Sequence, residues 1–366
     1  MTKREQIYRR ERAYLMHQRL KRVHPLRQLF WECTLRCNLS CLHCGSDCKA
    51  VADVPEMPLA DFLPVLDEIK LRQPDERLYV HTVGGEPLVR RDIVEAGRAI
   101  TERGFRWGMV SNGYLLDRPM LKDLLDAGLF TIAIDLDGTR DDHNWLRNSN
   151  KSFDRAMTAV DALVAANRDG RDVLWDVITC VNARNIHHLE EIKRMLIDAG
   201  VKMWRCFTIV PMGRAKEQPE MLLTDEQLKY LFDFIMATRR EGKIALSYAC
   251  EGYLGTYEGL VRGYMFSCRS GLTVASVRSD GNISGCLSVR SDFSQGNIYR
   301  DSFWDVWQNK FQIYRDREWM RTGVCADCEA FKYCEGNGFH LRDEHGQLML
   351  CNYQRLKALH RRKHNS

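Results

Sequence analysis

The chain has 366 residues, 45% of them apolar and 28% charged, with 25 glycines, 9 prolines and 14 cysteines. That length supports an ample core without covalent staples, and the apolar fraction excludes wholesale disorder. The formal charge of +5 is too mild to single out a partner class. Apolar runs such as Phe130 to Ile134 are too short to cross a bilayer, so no transmembrane segment is expected. The first residues, Met1-Thr2-Lys3-Arg4-Glu5, lead into further charge with no apolar stretch, and the expectation is a cytoplasmic protein without a signal peptide. In a reducing compartment such a set of thiols is a poor disulfide framework, and short cysteine spacings point to metal.

From about Gln28 to Arg240 the chain alternates strand-like and helix-like segments. The predicted strands are Leu29–Cys33, Leu78–Val83, Phe105–Val110, Phe130–Leu136, Val173–Val181 and Lys202–Val210. Between and after them lie predicted helices at Leu59–Leu71, Asp92–Arg103, Arg118–Ala127, Phe153–Ala166, Ile186–Ala199 and Asp225–Thr238, the fifth with Ile186, Leu189, Ile192 and Leu196 at helical spacing. Asp92 and Thr224 or Asp225 are plausible starts, and Gly104, Gly128 and Gly200 follow helix ends. Six strand–helix units in succession imply a parallel sheet with right-handed crossovers. After Gly242 the texture changes to short strand candidates at Ile244–Cys250, Val274–Arg278 and Asn282–Leu287 and a helix signal around Phe303–Tyr314, then closely spaced cysteines. A segment with so little apolar periodicity needs another source of stability, and bound metal is the obvious one. The expected division is a basic extension over 1–27, an α/β unit over 28–240, a cysteine-rich unit over 243–354 and a basic tail over 355–366. The basic ends read as solvated, with a helix lying over the barrel; the alternative is a patch for an acidic peptide, anionic lipid or nucleic acid, and no aromatic interleaving supports the nucleic-acid version.

Cys37, Cys41 and Cys44 follow the first predicted strand with the spacing C-x3-C-x2-C, at the sheet end where βα folds place their chemistry. Three thiolates in a tight loop suit a cubane [4Fe–4S] cluster, leaving one iron without a protein ligand. A structural zinc knuckle with Cys48 or His43 as fourth ligand is the alternative on spacing alone.

This stretch resembles the radical S-adenosylmethionine (SAM) superfamily. Further motifs fall behind successive strands: Gly84-Gly85-Glu86-Pro87, Ser111-Asn112-Gly113, Leu136-Asp137-Gly138 with Arg147 beyond it, and Pro211-Met212-Gly213-Arg214-Ala215. The resemblance implies that Gly84, Gly85 and Glu86 receive the SAM amino group, Asn112 belongs to the same site, Arg147 meets the SAM carboxylate and His43 packs near adenine. Asp135 stands where the family often has a SAM-contacting serine; a carboxylate there could accept from a ribose hydroxyl or the ammonium but would repel the carboxylate. The implied fold is α/β, a partial (β/α)6 TIM-like barrel followed by a small α+β iron–sulfur domain. The implied chemistry is reductive cleavage of SAM to a 5′-deoxyadenosyl radical that abstracts hydrogen from substrate, with an external one-electron donor.

The C-terminal cysteines resemble the SPASM extension of such enzymes. Cys268, Gly281 and Cys286 match its first half, and Cys325, Cys328, Cys334 and Cys351 match the ligands of its distal auxiliary [4Fe–4S] cluster. At the fourth position of its C-x2-C-x5-C-x3-C run stands Gly338 instead of the cysteine that the likeness assigns to a proximal auxiliary cluster. Cys250 is the candidate earlier ligand for that site beside Cys268 and Cys286; otherwise it is a small buried apolar residue, as Cys180 and Cys206 are read to be. The proximal site is then a second Fe–S cluster with an incomplete cysteine set, open to substrate or closed by a non-cysteine ligand. A zinc ribbon is the alternative for Cys325, Cys328 and Cys334, and Cys33 and Cys48 are unassigned.

The likeness implies a peptide or small protein as substrate. Sulfatase maturases of this group carry an aspartate as base directly after the second cysteine, where this chain has Leu287, which ranks formylglycine formation below other peptide chemistry. The stretch from Phe30 to Lys49 resembles SPASM proteins encoded beside small cysteine-rich lipoproteins, and such a lipoprotein is one candidate partner. The rival readings are a radical dehydrogenase of a small molecule and a non-catalytic iron–sulfur or zinc binding module.

Overall fold

The computed structural model describes residues 2–74, 77–289 and 293–364, so Met1, Asn365 and Ser366 of the two basic ends lie outside the described residues. Helix α1 (Lys3–Val23) precedes β1 (Gln28–Thr34), α2 (Leu59–Arg72), β2 (Tyr79–Gly84), α3 (Ile93–Glu102), β3 (Arg106–Ser111), α4 (Arg118–Asp126) and β4 (Leu129–Asp135). Then come α5 (Arg140–Leu146), α6 (Ser152–Arg168), β5 (Leu174–Val181), α7 (Leu189–Asp198), β6 (Met203–Thr208) and α8 (Asp225–Glu241). The remainder comprises β7 (Ala245–Tyr248), β8 (Val274–Val277), β9 (Asn282–Ser284), β10 (Gly296–Asn297), α9 (Phe303–Asn309), α10 (Gln312–Arg315), α11 (Phe331–Cys334) and α12 (Asn352–His364).

The strands form one ten-stranded sheet in the order β10-β9-β8-β1-β2-β3-β4-β5-β6-β7. Pairing is parallel from β8 to β7 and antiparallel along β8-β9-β10. The six expected strands lie side by side in chain order, the arrangement that right-handed βαβ crossovers produce. The sheet does not stop at Gly242: β7 extends the β6 edge, and β8 enters on the far side against β1. The cysteine-rich part is thereby hydrogen-bonded into the barrel sheet at both edges.

Local chemistry sets the helix ends. Thr224 caps α8 through a capping box with Gln227, and Gly242 closes it in the left-handed conformation. Asp92 precedes α3 but makes no cap bond; its carboxylate takes both arms of the Arg90 guanidinium at 2.8 and 2.7 Å. The expected helix at 186–199 begins as a single 3-10 turn over Asn185–His188, and α7 follows. Inside the layers, Trp31 stacks on Phe62 with centroids 4.3 Å apart, and Trp107 lies so close to α3 that a Cβ on Gly97 would stand 2.0 Å from its ring.

The expectation that the first basic helix lies over the barrel is corrected. Helix α1 packs on the cysteine-rich region: Gln6 donates to the Thr256 carbonyl at 2.8 Å, Arg9 to the Gly263 carbonyl at 2.9 Å, and His17 and Lys21 meet Glu335. Arg9 and Lys21 find acceptors there, which a polar sequence alone does not announce. Among the described residues no helix is long and apolar enough to cross a membrane.

Candidate active site and auxiliary cysteine sets

The loop after β1 carries Cys37, Cys41 and Cys44 over the carboxyl ends of β1 to β4, around a cavity of about 210 Å³. Two glycines let the loop lie this close. A Cβ on Gly84 would stand 2.0 Å from the Thr34 carbonyl oxygen and one on Gly85 2.1 Å from that of Arg36; the amides of Gly85 and Glu86 donate to those same carbonyls at 2.8 and 2.9 Å. From the other side Arg214 clamps the loop, donating to the carbonyls of Cys41 at 2.8 Å and Cys48 at 3.0 Å. Gly213, at φ +52°, leaves no room for a side chain beside the Cys44 carbonyl, 2.4 Å from where its Cβ would be.

The residues expected to hold SAM divide into two groups. Gly84, Gly85, Asn112, His43 and Arg147 line the cavity together with the three thiols, Cys48, Asp135 and, from the cysteine-rich part, Leu287. Glu86 does not line it. Its carboxylate is buried and accepts from Leu88 N at 3.2 Å, Ser111 Oγ at 2.8 Å and Asn112 N at 2.8 Å, which ties the ends of β2 and β3 together. Burial outweighs these bonds and pushes its carboxyl up to about 7.

Arg147, at the end of α5, is held between two carboxylates: Nε meets Asp137 Oδ2 at 2.5 Å and Nη1 meets Asp135 Oδ2 at 3.1 Å. Asp137 is spent on the fold, accepting also from the Cys180 amide at 2.8 Å, whereas Asp135 faces the cavity. Burial raises the Asp135 carboxyl from its usual value despite Arg147. His43 is pushed down to about 4 by burial, and its Nδ1 has no hydrogen-bond partner.

The donor set fits an iron–sulfur cluster. Each of the three sulfurs has an N–H directed at it: Leu39 N at 3.5 Å and Asn112 Nδ2 at 3.9 Å on Cys37, Arg147 Nη1 at 3.9 Å on Cys41, and Cys48 N at 3.4 Å on Cys44. Such bonds stabilise thiolate ligands and tune a cluster's potential. Among the described residues no group of three or more His, Cys, Asp or Glu side chains converges on a single ion.

In the C-terminal part, Cys325, Cys328, Cys334 and Cys351 line one small cavity whose walls include Phe331 and Leu348. Arg342 Nη2 lies 3.8 Å from Cys325 Sγ and Gln354 Nε2 3.6 Å from Cys328 Sγ. A second group is formed by Cys250 after β7, Cys268 and Cys286 after β9. Burial, then the neighbouring Cys268, pushes the Cys250 thiol up to about 11; Cys286 rises to about 12, with Cys250 and Cys268 among the causes after burial. Cys250 is nonetheless exposed at the surface as a residue. Cys33 and Cys206 are buried within the sheet, Cys180 half-buried on β5.

Fold and thiol sets together define an iron–sulfur enzyme built on a parallel α/β barrel. The chain is a radical SAM enzyme with a C-terminal SPASM domain: the radical SAM superfamily matches residues 31–196, and the SPASM iron–sulfur cluster-binding domain matches residues 268–329. Its cofactors are a [4Fe–4S] cluster and SAM, and its SPASM domain binds auxiliary iron–sulfur clusters. It is 26% identical over 335 residues to an AdoMet-dependent heme synthase of Methanosarcina barkeri, covering 85% of this chain and 90% of that one. It is 28% identical over 312 residues to the mycofactocin maturase MftC of Mycolicibacterium smegmatis, covering 84% and 76%. Among solved structures it shares its fold with anSMEcpe bound to AdoMet (TM-score 0.69, 20% identity, 91% and 95% covered). Streptococcus suis SuiB bound to its precursor peptide SuiA is also similar (TM-score 0.66, 18% identity, 89% and 74% covered).

Proposed function

We infer that this chain uses SAM to abstract hydrogen from a peptide or small protein, with residues 28–240 as the catalytic barrel and 243–354 as the auxiliary-cluster unit. Cys37, Cys41 and Cys44 would hold the SAM-binding cluster. Cys325, Cys328, Cys334 and Cys351 would hold a complete distal cluster, and Cys250, Cys268 and Cys286 a proximal one. When bound and reduced, the SAM-binding cluster supplies the electron that splits SAM into methionine and the 5′-deoxyadenosyl radical.

The protein's own residues do the rest. Gly84 and Gly85 bring the end of β2 against the cysteine loop, and Glu86 fixes the Ser111–Asn112 turn beside it. Arg147 offers a guanidinium to a carboxylate next to Cys41, with Asp135 as its present partner on the cavity side. Leu287 closes the cavity from the SPASM side with an apolar group, so no carboxylate stands there to take a proton. The observation that carries the reading is the three-thiol loop and Arg147 on one cavity wall at the barrel rim.

The peptide assignment draws support from the likeness to a mycofactocin maturase and from the fold shared with peptide-bound SuiB. A second reading, a porphyrin-like small molecule, is favoured by the heme synthase relatives, which align over most of both chains. The test is anaerobic reconstitution followed by SAM and dithionite, which should release 5′-deoxyadenosine, a product lost in Cys41→Ala. Addition of small peptides encoded beside the gene should accelerate release and yield a peptide of altered mass. Acceleration by an iron coproporphyrin instead would replace the peptide reading with the second one.

A further inference from the structure

The proximal thiol set lacks a fourth cysteine because Gly338 stands where the SPASM spacing calls for one. The backbone does not require glycine at this position: φ is −75° and ψ is 143°, a conformation open to any residue. What excludes a side chain is an imidazole. A Cβ on Gly338 would stand 2.7 Å from Cε1 and 3.0 Å from Nδ1 of His340, and its three nearest neighbours are all atoms of that ring. His340 therefore fills the space that the missing cysteine side chain would take.

The segment is anchored beside Cys268 and Cys286. Phe339, between Gly338 and His340, packs on Tyr314 with ring centroids 4.5 Å apart. The Tyr314 hydroxyl lies 3.0 Å from Ser284 Oγ, two residues before Cys286. On its other side Phe339 lies 4.9 Å beneath the Arg317 guanidinium, which donates to the Cys268 carbonyl at 3.1 Å. Arg317 and Tyr314 thus hold the histidine-bearing turn against the segments that carry Cys268 and Cys286. Among the described residues no hydrogen bond ties up the ring of His340, which is only partly buried, so a ring nitrogen is free to bind a ligand.

We propose that His340 provides, through a ring nitrogen, the fourth protein ligand of the auxiliary cluster held by Cys250, Cys268 and Cys286. The inference rests on the cluster assignment above and adds a ligand to it. Imidazole is a competent ligand for iron, and replacing a thiolate by a neutral nitrogen removes one negative charge from the cluster environment. Histidine ligation raises cluster potentials, so this cluster should sit at a more positive midpoint potential than its cysteine-ligated counterpart.

The test uses the full reconstituted chain with and without 15N-histidine, with the reduced auxiliary clusters observed by pulsed EPR. The expected result is a nitrogen coupling that changes with the label and disappears in His340→Ala. Gly338→Cys combined with His340→Ala, which puts a thiol where the ring was, should keep iron and sulfide at wild-type levels, abolish the coupling and lower the midpoint potential. A wild-type chain that carries a Cys268-dependent cluster but shows no label-sensitive nitrogen would overturn the proposal while leaving the cluster assignment standing. If Cys268→Ala leaves iron per chain unchanged, the assignment itself falls, and the ligand with it.

Discussion

His17 Nε2 lies 2.7 Å from Glu335 Oε2, joining the first helix of the chain to the residue directly after Cys334. Nδ1 of the same ring meets the hydroxyl of Ser267, the neighbour of Cys268. One buried imidazole thus bridges a side chain beside Cys334 and a side chain beside Cys268. Gln18 and Lys21, on the same helix, complete the shell around Glu335 at 2.8 Å each.

His17→Ala should therefore loosen α1 as a unit. Burial works to raise the Glu335 carboxyl, but the bonds from His17 and Lys21 outweigh it and hold it at about 2. A carboxyl depressed in the fold contributes stability that is complete above its unfolded value near 4.5 and is lost as pH falls toward 2. Deleting the imidazole leaves Glu335 with Lys21 and Gln18, so the expected cost is about 1–3 kcal/mol, the scale for a buried polar group deprived of one partner. Thermal unfolding should register it, and trypsin should cut within residues 3–23 faster than in the parent.

Glu86 sits beneath the wall of the three-thiol cavity without facing it, and its substitution should separate stability from chemistry. Glu86→Ala leaves the Leu88 and Asn112 amides and the Ser111 hydroxyl without their acceptor, at a cost of about 2–5 kcal/mol. Glu86→Gln keeps the shape and removes the titration. Because burial lifts this carboxyl to about 7 from 4.5, the parent loses stability as pH rises through that window, by at most about 1.4 kcal/mol per pH unit. Denaturant unfolding from pH 5 to pH 8 should slope downward in the parent and flatten in Glu86→Gln; an equal slope in both would show that another group titrates there.

The alternation of strands and helices was legible from Gln28 to Arg240 because successive units repeat a short apolar run and an amphipathic helix, several of them closed by a glycine such as Gly104 or Gly128. The order across the sheet was not, since β8 reaches β1 from more than two hundred residues away and no local pattern records that pairing. Helix α5 is short and polar enough to pass as loop, yet it ends at Arg147 and so aims the guanidinium. Motif spacing located the three-thiol loop, but the work of individual side chains depended on contacts that spacing does not encode. Glu86 is bound inward, Arg147 is shared between Asp135 and Asp137, and the ring of His340 occupies the room left by Gly338.

Arg262 is fully buried and holds the loop of Cys250. It pairs with Glu258 at 2.6 Å and donates to the carbonyls of Ala249 at 2.7 Å and Gly252 at 2.6 Å, on either side of the cysteine. Glu258 in turn accepts from the amides of Leu254 at 2.9 Å and Phe266 at 2.8 Å. Arg262→Ala strands a buried carboxylate and should cost about 3–5 kcal/mol. Lysine cannot reproduce a forked contact to two carbonyls. For Arg262→Lys the expected outcome is a folded chain with less auxiliary iron and an undiminished SAM-responsive EPR signal. Loss of both signals together would mean that the loop supports the whole molecule rather than the proximal site.

Asp135 would decide how Arg147 meets an incoming carboxylate. Asp137 is locked by Arg147 Nε and the Cys180 amide, so it cannot leave. Asp135, bonded to Nη1 at 3.1 Å and open to the cavity, is the partner that SAM would displace or crowd. An ionised Asp135 repels the SAM carboxylate; a protonated one does not. Since burial raises this carboxyl to about 6, a fall in pH from 8 toward mildly acid values neutralises it. The parent should bind SAM more tightly as pH falls, and Asp135→Asn should bind about tenfold more tightly at pH 8, a gain of about 1.4 kcal/mol, with little dependence on pH. Anaerobic equilibrium dialysis of the reconstituted chain measures both. Weaker binding by Asp135→Asn would instead show that this carboxylate accepts from SAM, either its ammonium or a ribose hydroxyl, and that its contact with Arg147 survives in the complex.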